Sequence, residues 1–296
     1  MTIPFVVGAY AGIPADRAGR EQFYAALPSW VTGLEIPFRG SLDADPAWLA
    51  GQVARFGDSV VTLIPGTMGR IAEDPTFGLA SGDVAGRAAA LAYVGEALAA
   101  IERLHADAGV RVVRWVEVHS APTDAADAGA FVRSLGELAP ALEAAGIGLV
   151  IEHCDAAAGV GPGEKRFLSL ADELRAAAET GARLTLNWGR SVLETHDPAS
   201  AREHVAAAAA AGLLAGVMFS GTGPEATAYG TPWADVHLPL STDEPASLMT
   251  PARVAECIAA AGGREEYRGV KIQAPAEASV PERIAMIGRI RAAMVG

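Results

Sequence analysis

The feature that most constrains this chain is the regular alternation of short β-rich runs with helical patterns along its 296 residues. Eight such runs occur, at residues 5–9, 34–38, 59–64, 112–119, 148–153, 183–187, 215–220 and 269–273. Alternating strands and helices predict parallel βαβ units. A helical pattern containing Ile284, Ile287 and Ile290 follows the last run. We therefore predict a single (β/α)8 TIM barrel, with an open doubly wound sheet as the alternative.

The segments between the runs have the periodicity of amphipathic helices. Leu91, Val94 and Ile101 fall on one helical face. Gly146 and Gly262 stand where two of these helices are expected to end, since glycine readily adopts the left-handed conformation of a helix C-cap.

No composition shift or linker divides the chain, so residues 1–296 are predicted to form one domain. Two connections are longer than the others, residues 66–82 after the third run and residues 221–249 after the seventh. Loops that follow strands lie at the C-terminal end of such a barrel, where its active sites are found. Both connections are therefore predicted to be loops over the barrel mouth.

Charge and cysteine content restrict the partners and the compartment. The formal net charge is -12 and there is no Lys/Arg run, which disfavours nucleic acid as a partner. Cys154 and Cys257 have no metal-type spacing and are predicted to be free thiols in a reducing compartment. The first residues lack a signal-peptide pattern, and the apolar run 205–219 is shorter than the roughly 20 residues of a membrane span. We expect a cytoplasmic protein without a membrane partner.

Polar side chains at the carboxyl ends of the predicted strands are the candidate site residues, because these ends face a common cavity. They are Glu35, Glu117, His119, Glu152, His153, Asp155, Asn187, Trp188, Arg190, Ser220, Lys271 and Gln273, joined by Asp235 and His237 of the second long loop. Charged residues within apolar strands are costly to bury unless they are paired or used. Because side chains alternate along a strand, Glu152 is predicted to face the barrel interior and His153 a helix.

Several short motifs resemble a known group of barrels. The runs GAY, LEIPF, EHCD, NWGRS, FSG and HLP look like an uncharacterised bacterial family within the xylose-isomerase-like TIM barrels. The likeness spans nearly the whole chain and includes Asn187-x-x-Arg190, Asp235-x-His237 and the closing strand VKIQ. That superfamily contains sugar and sugar-phosphate isomerases and epimerases and the endonuclease IV type. The resemblance therefore implies the barrel fold and an enzyme of this kind.

The chain departs from the divalent-metal site that the resemblance implies. Metal-binding members have acidic ligands on strands five, six and eight, and Glu152 matches the first of these. Asn187 stands at the second acidic position, Arg190 where a His often follows it, and Lys271 or Gln273 at the last. Hard cations are held by carboxylates, so these replacements remove most of the charge that would retain one. No metal ligand is assigned, although Mg²⁺, Mn²⁺ or Zn²⁺ stays open.

We predict a carbohydrate isomerase or epimerase that abstracts a proton next to a sugar carbonyl. Glu152 is the expected general base, and Lys271 with His119 or His237 is expected to stabilise or reprotonate the oxygen. The expected substrate is an anionic sugar (phosphorylated, sulfonated or acidic). The predicted substrate-binding residues are Glu35, Asn187, Trp188, Arg190, Ser220, Asp235 and Gln273. Trp188 is expected to offer the sugar a flat apolar face. Arg190 and the glycine-rich segment 220–223, which begins at Ser220, are expected to bind the anionic end.

Two other functions stay open on the same fold. One is a metal-dependent lyase or hydrolase that uses Glu152, Asp235, His237 and His119 as ligands. The other is a non-catalytic sugar-binding barrel whose ancestral ligands have been lost. Residues 159–165, with the sequence GVGPGEK, are interpreted as a mobile loop because the lysine is misplaced for a phosphate-binding motif. A homo-oligomer also stays open.

Overall fold

The computed structural model describes residues 2–295, which form a closed barrel of eight parallel strands in chain order. The strands are β1 (Phe5–Val7), β2 (Gly33–Pro37), β3 (Ser59–Thr62), β4 (Val113–Val118), β5 (Gly148–Glu152), β6 (Arg183–Asn187), β7 (Leu214–Phe219) and β8 (Tyr267–Val270). The barrel closes where Phe5 and Val7 pair with Arg268 and Val270. The predicted (β/α)8 fold is therefore confirmed, and each predicted run overlaps a strand, although β8 ends before Lys271 and Gln273, which the sequence places on it.

Helices surround this barrel. They are α1 (Arg17–Ala26), α2 (Pro46–Val53), α3 (Ile64–Glu73), α4 (Val84–Ala108), α5 (Ala128–Ala145), α6 (Leu170–Thr180), α7 (Trp188–Thr195), α8 (Ala199–Ala210), α9 (Pro251–Ala261) and α10 (Val280–Val295), with a short 3-10 helix at Ala9–Ala11. Helices α5 and α9 end at Gly146 and Gly262, whose φ angles are +65° and +61°. Both helix ends lie where the sequence predicts them.

The inward side chains of the strands divide the barrel interior into an apolar floor and a polar mouth. The floor consists of Val6, Val60, Trp115, Val150, Ala215, Met218 and Tyr267. Further along the same faces, toward the carboxyl ends, alternate positions carry Glu35, Thr62, Glu117 and Glu152. Outward side chains such as Ile151 pack in the larger core between strands and helices. The strands thus deliver their charged residues to one end of the barrel.

The prediction that residues 66–82 form a mouth loop is wrong for the first part, because α3 extends to Glu73. Pro65 occupies the first turn of α3, where proline is favourable. Gly66 is required by packing, since a Cβ at this position would overlap the Tyr93 hydroxyl and Phe38 carbonyl. Residues 221–249 have no helix or strand of their own.

Helix α4 is the one helix within residues 2–295 that is long and apolar enough to cross a membrane by length and composition. It packs against α2 and α5, and Tyr93, Val94 and Ile101 on its inner face are buried. Core helices of barrels have the same composition, so its apolar side is explained by packing within this molecule.

Candidate active site

A lysine lies between two carboxylates at the centre of the barrel mouth. Lys271, the residue after β8, places its Nζ 2.6 Å from Glu35 Oε1 and 3.3 Å from Glu152 Oε1. Burial alone lowers the pKa of Lys271, but Glu152 and Glu35 outweigh it and hold the pKa well above its usual value. Gly8 provides the room for this side chain, because a Cβ there would lie 2.9 Å from Lys271 Cβ and Cγ. Lys271 is therefore a buried ammonium ion.

Both oxygens of Glu152 contact two partners. Oε1 lies 2.6 Å from Arg190 Nη1 in addition to Lys271. Oε2 lies 2.8 Å from His119 Nε2 and accepts a hydrogen bond from Thr62 Oγ1 at 3.1 Å. Burial raises the pKa of Glu152, but Arg190 and Lys271 hold it well below its usual range. Glu152 therefore faces the interior as an anion held by two cations.

Burial lowers the pKa of His119, so its imidazole is neutral near pH 7. Its Nε2 faces the Glu152 carboxylate, which places the proton on that nitrogen. Its Nδ1 is buried and has no hydrogen-bond partner in the described structure. His119 therefore positions Glu152 and keeps one unused acceptor.

Glu117 and Tyr10 extend the cluster, and neither was among the predicted binding or catalytic residues. Glu117 Oε1 accepts a hydrogen bond from Tyr267 at 2.9 Å, and burial together with the nearby Glu152 raises its pKa well above normal. Glu117 is therefore a neutral acid. The Tyr10 hydroxyl donates to Glu35 Oε1 at 3.1 Å, while Oε2 of Glu35 has no partner among residues 2–295.

A second ion-pair group connects the long loop 221–249 to the barrel. Asp235 Oδ2 lies 3.2 Å from Arg190 Nε and 2.9 Å from Lys165 Nζ. His237 Nδ1 lies 3.2 Å from Asp235 Oδ1 without hydrogen-bond alignment, so His237 joins the cluster through Asp235. Burial raises the pKa of Asp235, but Lys165, His237 and Arg190 hold it well below its usual value. Asp235 is thus the anionic anchor of the loop.

Together these contacts form one buried ion-pair chain of alternating charge. Its members, in order, are Glu35, Lys271, Glu152, Arg190, Asp235 and Lys165. This ion-pair chain begins at Glu35 in β2, crosses the barrel mouth and ends at Lys165 in the loop after β5. Its three acidic and three basic groups compensate one another, which makes their burial tolerable.

The remaining predicted binding residues have structural contacts. Asn187 Oδ1 accepts hydrogen bonds from Gly189 N at 3.0 Å and Ser220 Oγ at 2.7 Å, whereas its Nδ2 is buried without a partner in the described structure. Gln273 Nε2 donates to the Val236 carbonyl at 2.7 Å and so anchors the long loop.

The predicted role of Trp188 as an open face for a sugar is wrong. Trp188 begins α7 and follows the inward residue Asn187, so it takes the outward parity. Its side chain is 2% exposed and lies in the main hydrophobic core between strands and helices. It contributes to packing and has no surface to offer a ligand.

The C-terminal end of residues 159–165, the segment expected to be a mobile loop, is bound to Asp155 and Asp235. The Asp155 carboxylate accepts backbone hydrogen bonds from Glu164 and Lys165 at 2.8 Å and 3.0 Å, and from Arg166 at 3.1 Å. The Lys165 ammonium contacts Asp235. The lysine therefore belongs to the ion-pair chain and to no phosphate-binding motif.

A cavity of about 570 Å³ opens beside the cluster, between the 3-10 helix, α1 and the loop after β2. Tyr10 and Glu35 form part of its inner wall, and Arg20 and Arg39 contribute positive charge to it. A volume of this order accommodates a small metabolite. Glu35 is thus a residue of both the cavity and the ion-pair chain.

The cluster does not fit a divalent cation. One oxygen of each of Glu35, Glu117 and Glu152 lies within 4.8 Å of the others. However, the Lys271 ammonium contacts Glu35 and Glu152, two of these three carboxylates. The alternative metal-ligand set consists of Glu152, Asp235, His237 and His119. Arg190 lies between the two acids of this set and pairs with both of them. A second cation at either place would meet a fixed positive charge.

Comparisons with known proteins place the chain in a family. The model of a domain of unknown function, DUF4862, matches residues 6–286. An uncharacterised protein of Salmonella typhimurium strain LT2, STM3670, is 33% identical over 296 residues, covering 95% of this chain and 93% of the relative. The chain belongs to the DUF4862 family.

The DUF4862 chain also shares its fold with solved barrels of low sequence identity. A D-tagatose 3-epimerase-like protein superposes with a TM-score of 0.63 at 13% identity, covering 99% of this chain and 97% of the other. A family 2 AP endonuclease from Brucella melitensis superposes with a TM-score of 0.60 at 15% identity, covering 97% and 98%. These neighbours confirm the predicted xylose-isomerase-like TIM-barrel fold and show nothing finer.

Proposed function

We propose that this protein is a carbohydrate isomerase or epimerase that moves a proton at a carbon next to a carbonyl. The observation that carries the proposal is the Lys271 ammonium, fixed between Glu35 and Glu152 in the buried barrel mouth. A preorganised cation stabilises the negative oxygen of an enediolate, and an adjacent carboxylate moves the proton. The epimerase-like fold neighbour supports the same class of reaction.

In this proposal the sugar oxygens bind Lys271 and displace part of its contact with Glu152. Glu152 then loses one of the cations that depress its pKa, so its basicity rises when the substrate is in place. His119 and Thr62 keep the carboxylate oriented. Glu152, which then carries the abstracted proton, is the acid that returns it to the sugar, while Glu35 holds the same ammonium from β2.

The anionic end of the substrate is assigned to the 570 Å³ cavity rather than to Arg190. Arg190 was the predicted anion-binding residue, but its guanidinium already pairs with Glu152 and Asp235. Arg39 is exposed at the cavity wall, whereas Arg20 on the same wall already pairs with Asp43 at 2.5 Å, so Arg39 is the arginine assigned to the anion. A phosphate, sulfonate or carboxylate at Arg39 would leave the sugar carbons near Glu35.

The test is solvent deuterium exchange. We expect carbon-bound protons of at least one phosphorylated, sulfonated or acidic sugar to exchange in D₂O, followed by NMR, with undiminished exchange after EDTA. Glu152→Gln and Lys271→Met should each lower the rate about 100-fold or more. Glu143→Gln, an exposed position on α5, is the matched control and should leave the rate unchanged. No exchange with any sugar of the panel would contradict the proposal.

The second candidate is a metal-dependent lyase or hydrolase. The AP endonuclease fold neighbour favours it, whereas the Lys271 ammonium between Glu35 and Glu152 opposes a second cation in the mouth. It requires one divalent ion in the barrel mouth and the loss of activity after EDTA.

The third candidate is a sugar-binding barrel without catalysis, favoured by the fully occupied oxygens of Glu152. It requires a sugar that binds Glu152→Gln and wild type equally and exchanges no proton.

A further inference from the structure

A second group of potential ligands lies outside the barrel, behind the strand that ends in Glu152. His153 follows β5, Glu194 belongs to α7 and His204 belongs to α8. One ligand atom of each of these three residues lies within 4.8 Å of the other two. Since neighbouring residues of a strand face opposite ways, this group is separate from the ion-pair chain in the barrel mouth.

The orientation of His153 is the first observation that points to a metal. Its Nδ1 lies 2.6 Å from Oε2 of the fully buried Glu173, whose Oε1 accepts a hydrogen bond from Ser120 at 2.6 Å. Its Nε2 is directed at Glu194 Oε2, 2.9 Å away. Histidine ligands of metals donate the second ring nitrogen to a carboxylate in this way. The buried Glu173 thus fixes the ring with Nε2 toward Glu194. Burial lowers the pKa of His153, but Glu173 and Glu194 outweigh it and raise the pKa to about 10, so a bound ion would displace the proton on Nε2.

The orientation of His204 is the second observation. Its Nδ1 lies 3.1 Å from Ser191 Oγ, which leaves Nε2 as the ring's free ligand atom. The His153 and His204 rings lie 5.4 Å apart between centroids. Glu194 is partly exposed, with 15% of its side chain accessible, so an ion can reach the group from solvent.

We propose that His153, Glu194 and His204 form a Zn²⁺-type metal site on the outer face of the barrel. Two imidazoles and one carboxylate suit zinc and similar transition metals, and a water molecule completes four-coordination. Mg²⁺ and Ca²⁺ are disfavoured because they prefer oxygen ligands. The bound ion would connect β5 to α7 and α8, one residue away from Glu152, and so fix the strand end that carries this carboxylate.

Zinc titration of metal-free protein by calorimetry, together with the visible absorption of bound Co²⁺, tests the site. We expect one Zn²⁺ per wild-type chain, a rise in the melting temperature on Zn²⁺ addition, and no effect of Mg²⁺. His204→Ala and Glu194→Gln should each abolish this binding. Glu173→Gln should weaken it about 10- to 100-fold, because an outer carboxylate tunes a ligand without touching the metal.

Two controls separate this site from other causes. His196→Asn should bind Zn²⁺ as wild type does, since His196 caps α7 at a φ of +57° that asparagine tolerates. Glu152→Gln should also bind normally, because Glu152 faces the barrel interior. The proposal is overturned if wild type binds no zinc, if folded His204→Ala and Glu194→Gln both retain it, or if Glu152→Gln alone removes it.

Discussion

Replacing Lys271 by methionine removes the ammonium and keeps most of the side-chain volume. Glu35 and Glu152 then lose a partner at 2.6 Å and 3.3 Å in a site where all three side chains are at most 1% exposed. Removing one member of a buried ion pair costs about 3–5 kcal/mol, because the other charge is left uncompensated. Solvent screening does not reduce this value here, since the groups are inaccessible. With an unfolding entropy of about 2.1 cal/mol/K per residue, we expect the melting temperature of this 296-residue chain to fall by roughly 5–8 °C.

The stability lost in Lys271→Met should also depend on pH in a definite direction. The pKa of Glu152 is held below its unfolded value, so its stabilisation is present above an unfolded pKa of about 4.3 and is lost as the pH falls through the folded pKa. In Lys271→Met the pKa of Glu152 rises because one of the two cations that lower it is gone, so this carboxylate takes up a proton more readily. The stability deficit of the variant should therefore be greatest near neutral pH and shrink toward about pH 4–5.

The assay is urea denaturation of wild type, Lys271→Met, Glu35→Gln and the double variant, followed by circular dichroism. In the double variant Glu152 keeps Arg190, so it should be more stable than Lys271→Met alone. A deficit below about 1 kcal/mol for Lys271→Met near neutral pH, or a double variant no more stable than Lys271→Met, would refute the reasoning.

Three further perturbations test other parts of the site. Gly8→Ala should lower the deuterium-exchange rate, because the new Cβ would lie 2.9 Å from Cβ and Cγ of Lys271. The control Gly288→Ala on α10 should leave the rate unchanged, because a Cβ there meets nothing within 4 Å. Asp235→Asn should speed limited proteolysis of residues 221–249 about tenfold or more, since a charge-assisted contact contributes about 1.5–3 kcal/mol. Equal proteolysis of this variant and wild type would contradict the assigned anchor. Burial raises the pKa of Cys154, and that of Cys257 to about 12, so neither thiol should react with a disulfide reagent near neutral pH until guanidinium unfolds the chain.

Strand periodicity predicts much of this site, because the side of the sheet that a side chain faces depends only on its position along its own strand. The alternation rule assigns Glu152 to the interior, and His153 does contact Glu173 and Glu194 of the surrounding helices. The same rule, applied two residues beyond Val60, would also have found Thr62, whereas Tyr10 lies in the 3-10 helix Ala9–Ala11, to which strand alternation does not apply. These two were missed because a tyrosine after a short strand and a threonine within one are common without any function.

Other features depend on contacts across long sequence separations, which no local pattern encodes. Lys165 reaches Asp235 over a separation of 70 residues, and the glycine-rich sequence around it resembles any surface loop. Gly66 looks like a loop residue, yet it is glycine because Tyr93 of α4 occupies the space of a Cβ. Arg190 pairs with both Glu152 and Asp235 because the closed barrel brings together segments that follow different strands.

The ion-pair chain connects the chemistry of the barrel mouth to the long loop. Its links alternate in charge from Glu35 to Lys165, so a ligand oxygen that occupies Lys271 weakens the adjacent link to Glu152. Glu152 then depends more on Arg190, and Arg190 is shared with Asp235 of residues 221–249. Arg190 therefore links the charge balance of the barrel mouth to the long loop, and Lys165 gives Asp235 a second cationic partner there.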